Sequence, residues 1–109
     1  MNINYYKTSS GREPVSEYFR RLPEPDQEAV AVDIRIISDY GIRHPSLVTR
    51  KLKNKLWEIK TGTRHQQRIF YCLVTDNGIV LLHACKKQKQ GAQRNDVDFA
   101  YKRMKEVLS

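Results

Sequence analysis

Between Lys55 and Lys89 the chain reads KLWEIKTGTRHQQRIFYCLVTDNGIVLLHACKKQK, and no other stretch constrains the fold as strongly. Apolar and polar residues alternate through three runs, Leu56 to Thr61, Gln67 to Thr75 and Ile79 to Lys86. Alternation with period two is the signature of half-buried strands. Gly62 turns the chain after the first run. Asp76-Asn77-Gly78 turns it after the second, because Asn-Gly tolerates the positive φ of a tight hairpin. Three consecutive antiparallel strands follow. Parity places Trp57, Ile59, Ile69, Tyr71, Leu73, Val80 and Leu82 on one face, where helices are expected to pack; a slip of one residue would invert that face. The second face collects Glu58, Lys60, Arg68, His83 and Lys87. A sheet that buries one face and gathers cations on the other is suited to hold an anion.

The flanking segments supply the helices. Ile3 to Lys7 reads as a first strand, and TSSGR (Thr8 to Arg12) as a turn. Pro14 suits the first position of a helix whose Val15, Tyr18, Phe19 and Leu22 share a face. Pro23 and Pro25 close that helix and open a second. There Ala29, Val32, Ile36 and Tyr40 form an apolar stripe broadened by Val30, Ile34 and Ile37, and Gly41 is the cap. Lys51 to Lys53 begins or leads into a further short strand. After a polar loop from Lys86 to Gln93, Asn95 caps a last helix with Val97, Tyr101, Met104 and Leu108 on one stripe. The expected fold is α+β, one domain over residues 1–109: an N-terminal strand and helical hairpin on a small, mainly antiparallel sheet, with a C-terminal helix.

The formal charge of +8 is unevenly placed. Residues 1–49 carry six Lys/Arg and seven Asp/Glu, a net of −1; residues 50–109 carry fourteen and five, a net of +9. The basic half is the half with the sheet, which points to nucleic acid, an anionic membrane or an acidic protein as partner. No apolar run approaches membrane-spanning length and the N-terminus has no apolar signal segment, so a cytoplasmic protein without a membrane partner is expected. Cys72 and Cys85 lack C-x-x-C spacing and are expected as reduced core thiols. With His83 they would still want a fourth ligand, so no metal and no other cofactor is expected.

Lys60, Arg68 and Lys87, on adjacent strands roughly 4.8 Å apart, can reach one phosphate. Guanidinium grips phosphate oxygens in pairs and ammonium acts as a point charge. Cations so placed stabilise the added charge of a pentacoordinate phosphoryl transition state. RNA carries its own nucleophile in the 2′-hydroxyl, and the sequence has no Asp/Glu cluster for Mg²⁺. Lys60, Glu58 and His83 remain alternative proton-transfer groups. Lys51, Lys53, Lys55, Arg64, His65, Lys86 and Lys89 are candidate RNA-binding cations, and Phe70 on the open face a candidate for stacking on a base. A run such as Lys86, Lys87 and Lys89 is also what a solvated loop looks like.

LWEIK, QQRIFYCLV, the Asn-Gly turn and VLLHACKKQKQ, followed by a helix ending AYKRMKEVL, resemble the HigB branch of the RelE superfamily, the phage-derived type included; GREPVSEYFRRL resembles the group's opening helix. The resemblance implies the toxin of a type II toxin–antitoxin system, a ribosome-dependent mRNA endoribonuclease. It also implies a small antitoxin, often with a helix-turn-helix fold, through which alone operator DNA is met, and the 70S ribosome with its mRNA as target. By position, the family's strand lysine corresponds to Lys60, its next-strand arginine to Arg68, and its basic residue after the last strand to Lys87. The late tyrosine used by RelE has no aligned match. Two other readings are a gyrase-binding toxin resembling the ParE branch and a non-catalytic RNA-binding protein.

Overall fold

The computed structural model describes residues 1–88 and 94–109. Its elements are β1 (Asn2–Tyr5), α1 (Pro14–Arg20), α2 (Glu24–Tyr40), β2 (Val48–Lys53), β3 (Leu56–Thr61), a 3-10 turn (Thr63–His65), β4 (Gln67–Thr75), β5 (Gly78–Lys86) and α3 (Arg94–Leu108). The five strands form one sheet in the order β1-β5-β4-β3-β2. β2 to β5 are antiparallel neighbours, while β1 runs parallel to β5, with Asn2 opposite Gly78 and Tyr5 opposite Leu81. The architecture is therefore the expected α+β one, with Lys51 to Lys53 belonging to a full strand.

Helices cover both faces of the sheet, which corrects the one-faced layer expected from alternation. One face packs Ile59, Ile69, Tyr71, Ile79, Leu81 and Ala84 against Val15 of α1 and Val30 and Ile37 of α2. The other packs Leu56, Phe70, Cys72, Val80 and Leu82 against Ala100 and Met104 of α3. Val80 and Leu82 thus lie under α3, opposite to the face expected for them. The cause is a break in register: Phe70 faces His83, yet the next residue, Tyr71, faces Leu81. Leu82 is the extra residue of a bulge, and an extra residue shifts parity for everything before it on the strand. Trp57 does lie on the α1/α2 face as expected, half-buried and stacked on Tyr71 with centroids 6.4 Å apart.

α2 also turns differently from expectation. Val30 and Ile37 are buried with Ile34 beside them, whereas Val32 and Tyr40 are exposed. Two overlapping stripes on one helix were each apolar enough to face inward, and contact with the sheet selects the 30/34/37 one. Gly41 stops the helix at φ 96°, its N–H donating to the Ile37 carbonyl. In α3, Met104 is buried as expected while Leu108 is exposed.

Candidate functional site

α3 covers only part of its face. Next to the apolar patch, the same face of β3, β4 and β5 carries Glu58, Lys60, Arg68, His83 and Cys85. Register brings them together: Lys60 is opposite Arg68, Glu58 opposite Phe70, Phe70 opposite His83, and Arg68 opposite Cys85. Arg50 of β2 is directly opposite Glu58. Four strands therefore contribute to one polar cluster.

Glu58 is at its centre and is only 1 % exposed. Its Oε1 lies 3.3 Å from Arg50 Nη2 and 3.9 Å from Arg68 Nε. That oxygen accepts no hydrogen bond among the described residues. A buried carboxylate is tolerated only where cations compensate it, and here Arg50 and Arg68 do so. Arg68 is itself 5 % exposed, and its Nη1 donates to the carbonyls of His65 (2.6 Å) and Gln67 (3.2 Å). The expectation of an arginine on an open face is corrected accordingly: Arg68 is a clamped, buried cation. A direct bond from it to a phosphate requires local rearrangement. Lys60, half-buried on the same face, is the cluster's more accessible cation on β3.

His83 is equally constrained. Its ring stacks on Phe70 (5.8 Å, 20°) and meets Phe99 of α3 at 5.3 Å. Its Nε2 lies 2.7 Å from Asp96 Oδ1 in the first turn of α3. A carboxylate accepts, so Nε2 carries the proton and the ring is oriented by Asp96. Phe70, expected as a stacking platform for bases, is instead fully buried beneath α3. Its place on the second face was right, but α3 occupies that part of the face.

The remaining cations separate into two ends of the sheet. Near the cluster, the 3-10 turn carries exposed Arg64 and His65, both at positive φ (55° and 54°). Lys87 is exposed just after β5, its N–H donating 2.7 Å to the Gln66 carbonyl, which ties it to that turn. Lys86 points the other way: it lies opposite Gln67, and its charge acts on Asp26 of α2. Asp26 accepts hydrogen bonds from the Thr63 hydroxyl and from the Thr63 N–H at 2.8 Å, and these hold its carboxyl below the usual range. Gly62, which opens the turn, has φ 81°, and a Cβ there would stand 2.7 Å from Gln67 Cγ. The turn is therefore specified by glycine and tied to α2.

At the far end, Lys51 and Lys55 line a surface cleft with Arg43 and Trp57 on the α1/α2 face. Lys53 sits 4.4 Å over the Tyr101 ring of α3. These three lysines do not converge with Lys60 and Arg68. Lys89 lies outside the described residues. Two contributors escaped the sequence reading, Arg50 and Asp96. Arg50 was legible as the residue one step before the lysine-rich run, had that run been extended into a six-residue strand. Asp96 gave no signal beyond being an acidic residue at the start of a helix.

A five-stranded mixed sheet between a helical hairpin and a C-terminal helix, with a cationic cluster beside that helix, is the RelE-like class of fold. Within that class the chain belongs to the family described as Phage derived protein Gp49-like (DUF891), whose model matches residues 17–105. This is a toxin-like family related to the RelE and HigB toxins, and membership implies an antitoxin partner. No curated protein matches the chain significantly. Among the described residues, no helix is long and apolar enough to cross a membrane.

Proposed function

We propose that this chain is the toxin of a type II toxin–antitoxin pair and that it cuts mRNA on the ribosome, in the manner of the HigB branch. The observation that carries the reading is the cross-strand pair Lys60–Arg68 above the buried Glu58. A protein that only needs solubility has no reason to bury a carboxylate and spend it on holding two arginines. A preorganised positive site, by contrast, stabilises charge that develops on a phosphate without reorganising.

In the reaction, the 2′-oxygen of the cut nucleotide attacks the adjacent phosphorus and loses its proton to a base. The bond from phosphorus to the 5′-oxygen breaks, and that oxygen gains a proton. The products are a 2′,3′-cyclic phosphate, or the 3′-phosphate formed from it, and a 5′-hydroxyl. Lys60 meets the phosphate, and Arg68 adds fixed positive charge from below. Lys87, on the exposed segment beside Arg64 and His65, neutralises the leaving side. Glu58 is a positioning residue, since its burial keeps it behind the arginines. Lys60 and His83 are the groups placed to move a proton; Asp96 fixes the imidazole of the latter. The antitoxin, with a helix-turn-helix fold, carries operator binding for the pair.

The test is to map mRNA 5′ ends after brief expression of the wild type and of Lys60→Met in the cytoplasm. In-frame cuts within translated regions, absent from the folded variant, support the reading. Intact mRNA with broken DNA would replace it with a gyrase-directed toxin of the ParE kind. Intact mRNA and DNA with retained RNA affinity would leave an RNA-binding protein.

A further inference from the structure

At the N-terminal end of α3, three side chains of different chemistry point at one another. His83 Nε2 and Cys85 Sγ come from β5, Asp96 Oδ from the first turn of α3, and these donor atoms all lie within 4.8 Å of one another. Residues 83 and 85 are two apart on a strand and so share a face. Asp96 reaches them from a separate element.

We propose that His83, Cys85 and Asp96 form a binding site for a divalent ion of the zinc class, clamping α3 to the sheet. The donor set is the one such an ion prefers: one imidazole nitrogen, one thiolate sulfur and one carboxylate oxygen. Around a tetrahedral zinc these donors stand about 3.3–3.7 Å apart. Reaching that spacing means opening the 2.7 Å contact between His83 and Asp96 and drawing in the sulfur, shifts of about an ångström from donor atoms already within 4.8 Å. The imidazole is already restrained by two aromatic neighbours, Phe70 at 5.8 Å and Phe99 at 5.3 Å. Preorganising a ligand in this way lowers the ordering cost of binding. Three protein ligands leave the fourth position to water.

The ion would bridge β5 and α3 directly. α3 covers Leu56, Phe70 and Leu82 and borders the Glu58–Arg68 cluster. Metal occupancy therefore holds α3 down. Binding releases the Nε2 proton of His83 and the thiol proton of Cys85 to solvent; with that nitrogen's lone pair and the Asp96 oxygen both given to the metal, His83 is withdrawn from any proton transfer. The site does not depend on the RNA-cutting reading. It adds to that reading a means by which a metal ion fixes α3 on the sheet.

The chelator-stripped protein is titrated with Co²⁺ alone and then with Zn²⁺. The expected result is a thiolate-to-cobalt charge-transfer absorption that saturates at one equivalent and is displaced by zinc. Cys85→Ser abolishes the band while Cys72→Ser keeps it. Asp96→Asn, at a partly exposed helix start that leaves the core intact, weakens zinc binding by more than about tenfold, the lower limit seen even for outer-shell changes. At equal concentration zinc raises the thermal midpoint of the wild type more than that of Asp96→Asn. No charge-transfer band in the wild type, a band that persists in Cys85→Ser, or unchanged zinc affinity in Asp96→Asn would overturn the site. None of these readouts involves RNA, so failure here leaves the proposed nuclease activity untouched.

Discussion

The two faces of the sheet are built on different terms. Toward α1 and α2, Ile59, Ile69, Ile79 and Leu81 are buried and packed on Val30 and Ile37, with polar groups confined to the margin. At that margin Thr61 donates to Asp33 at 2.7 Å, and Tyr18 donates to Gln67. Burial first, and then the nearby Cys85, Asp26 and Asp96, push the Tyr18 hydroxyl up to about 12, so it stays protonated and can donate. Toward α3, an equally dry patch around Phe70 gives way within one strand position to Glu58, Arg68 and His83. One face spends its area on stability. The other divides its area, and the border between the halves runs through Phe70 and His83. A charged cluster acquires fixed geometry by leaning on a close-packed neighbour.

The largest effect should come from removing that border. Phe70→Ala empties the fully buried ring site beneath α3 and should cost about 3–5 kcal/mol. It should also release His83, which stacks on Phe70. Trp57→Ala, on the other face and only half-buried, should cost less and leave His83 unaltered. Chemical denaturation gives the two stabilities and the His83 NMR signal reports the ring. Equal costs with no change at His83 would mean that the two faces are equivalent.

Next in size is the ionic cluster. Arg68→Ala leaves Glu58 buried with Arg50 as its remaining cation, and should destabilise by about 3 kcal/mol. Adding Glu58→Gln should recover part of that loss, because the uncompensated charge is then gone. A double mutant that is merely additive would show that the two side chains do not act on each other. Loss of toxicity in Arg68→Ala has to be read beside its stability, since the residue is buried.

The smallest effect concerns the turn that carries Arg64 and His65. Asp26 is held below the usual carboxylate range by its hydrogen bonds from Thr63. Its contribution is present above the unfolded value and is lost as pH falls through the depressed folded value. Asp26→Asn should therefore lower the thermal midpoint near neutral pH by an amount equivalent to less than about 1 kcal/mol, the carboxylate being largely solvated. The difference from wild type should vanish in acid. A difference that persists at low pH would assign the effect to the amide and not to lost charge.

Much of the frame was legible because it is local. Asn77-Gly78 located the hairpin, the prolines bracketed the helices, and alternation found β3, β4 and β5. The bulge at Leu82 was not legible: period-two counting has no term for an extra residue, and Val80 and Leu82 were placed on the wrong face in consequence. Nor could the pattern of α2 choose between two apolar stripes. The site was read in part, since Glu58, Lys60, Arg68 and His83 do share a face. What alternation cannot supply is depth. By parity the second face reads as open, yet Phe70 and Arg68 are buried there. Asp96 enters the cluster through the packing of α3, whose own pattern carries no sign of it, and Arg50 through the register of β2 on β3.

The proposed reaction at the polar half of the α3 face uses the substrate's own 2′-hydroxyl. The most direct test uses purified toxin and programmed ribosomes, with mRNA that is all-ribose or 2′-deoxy at the single cut nucleotide. The expected result is a 2′,3′-cyclic or 3′-phosphate and a 5′-hydroxyl from the ribose message, and no product from the deoxy one. Cleavage of the deoxy message, or a 5′-phosphate at the cut, would contradict it.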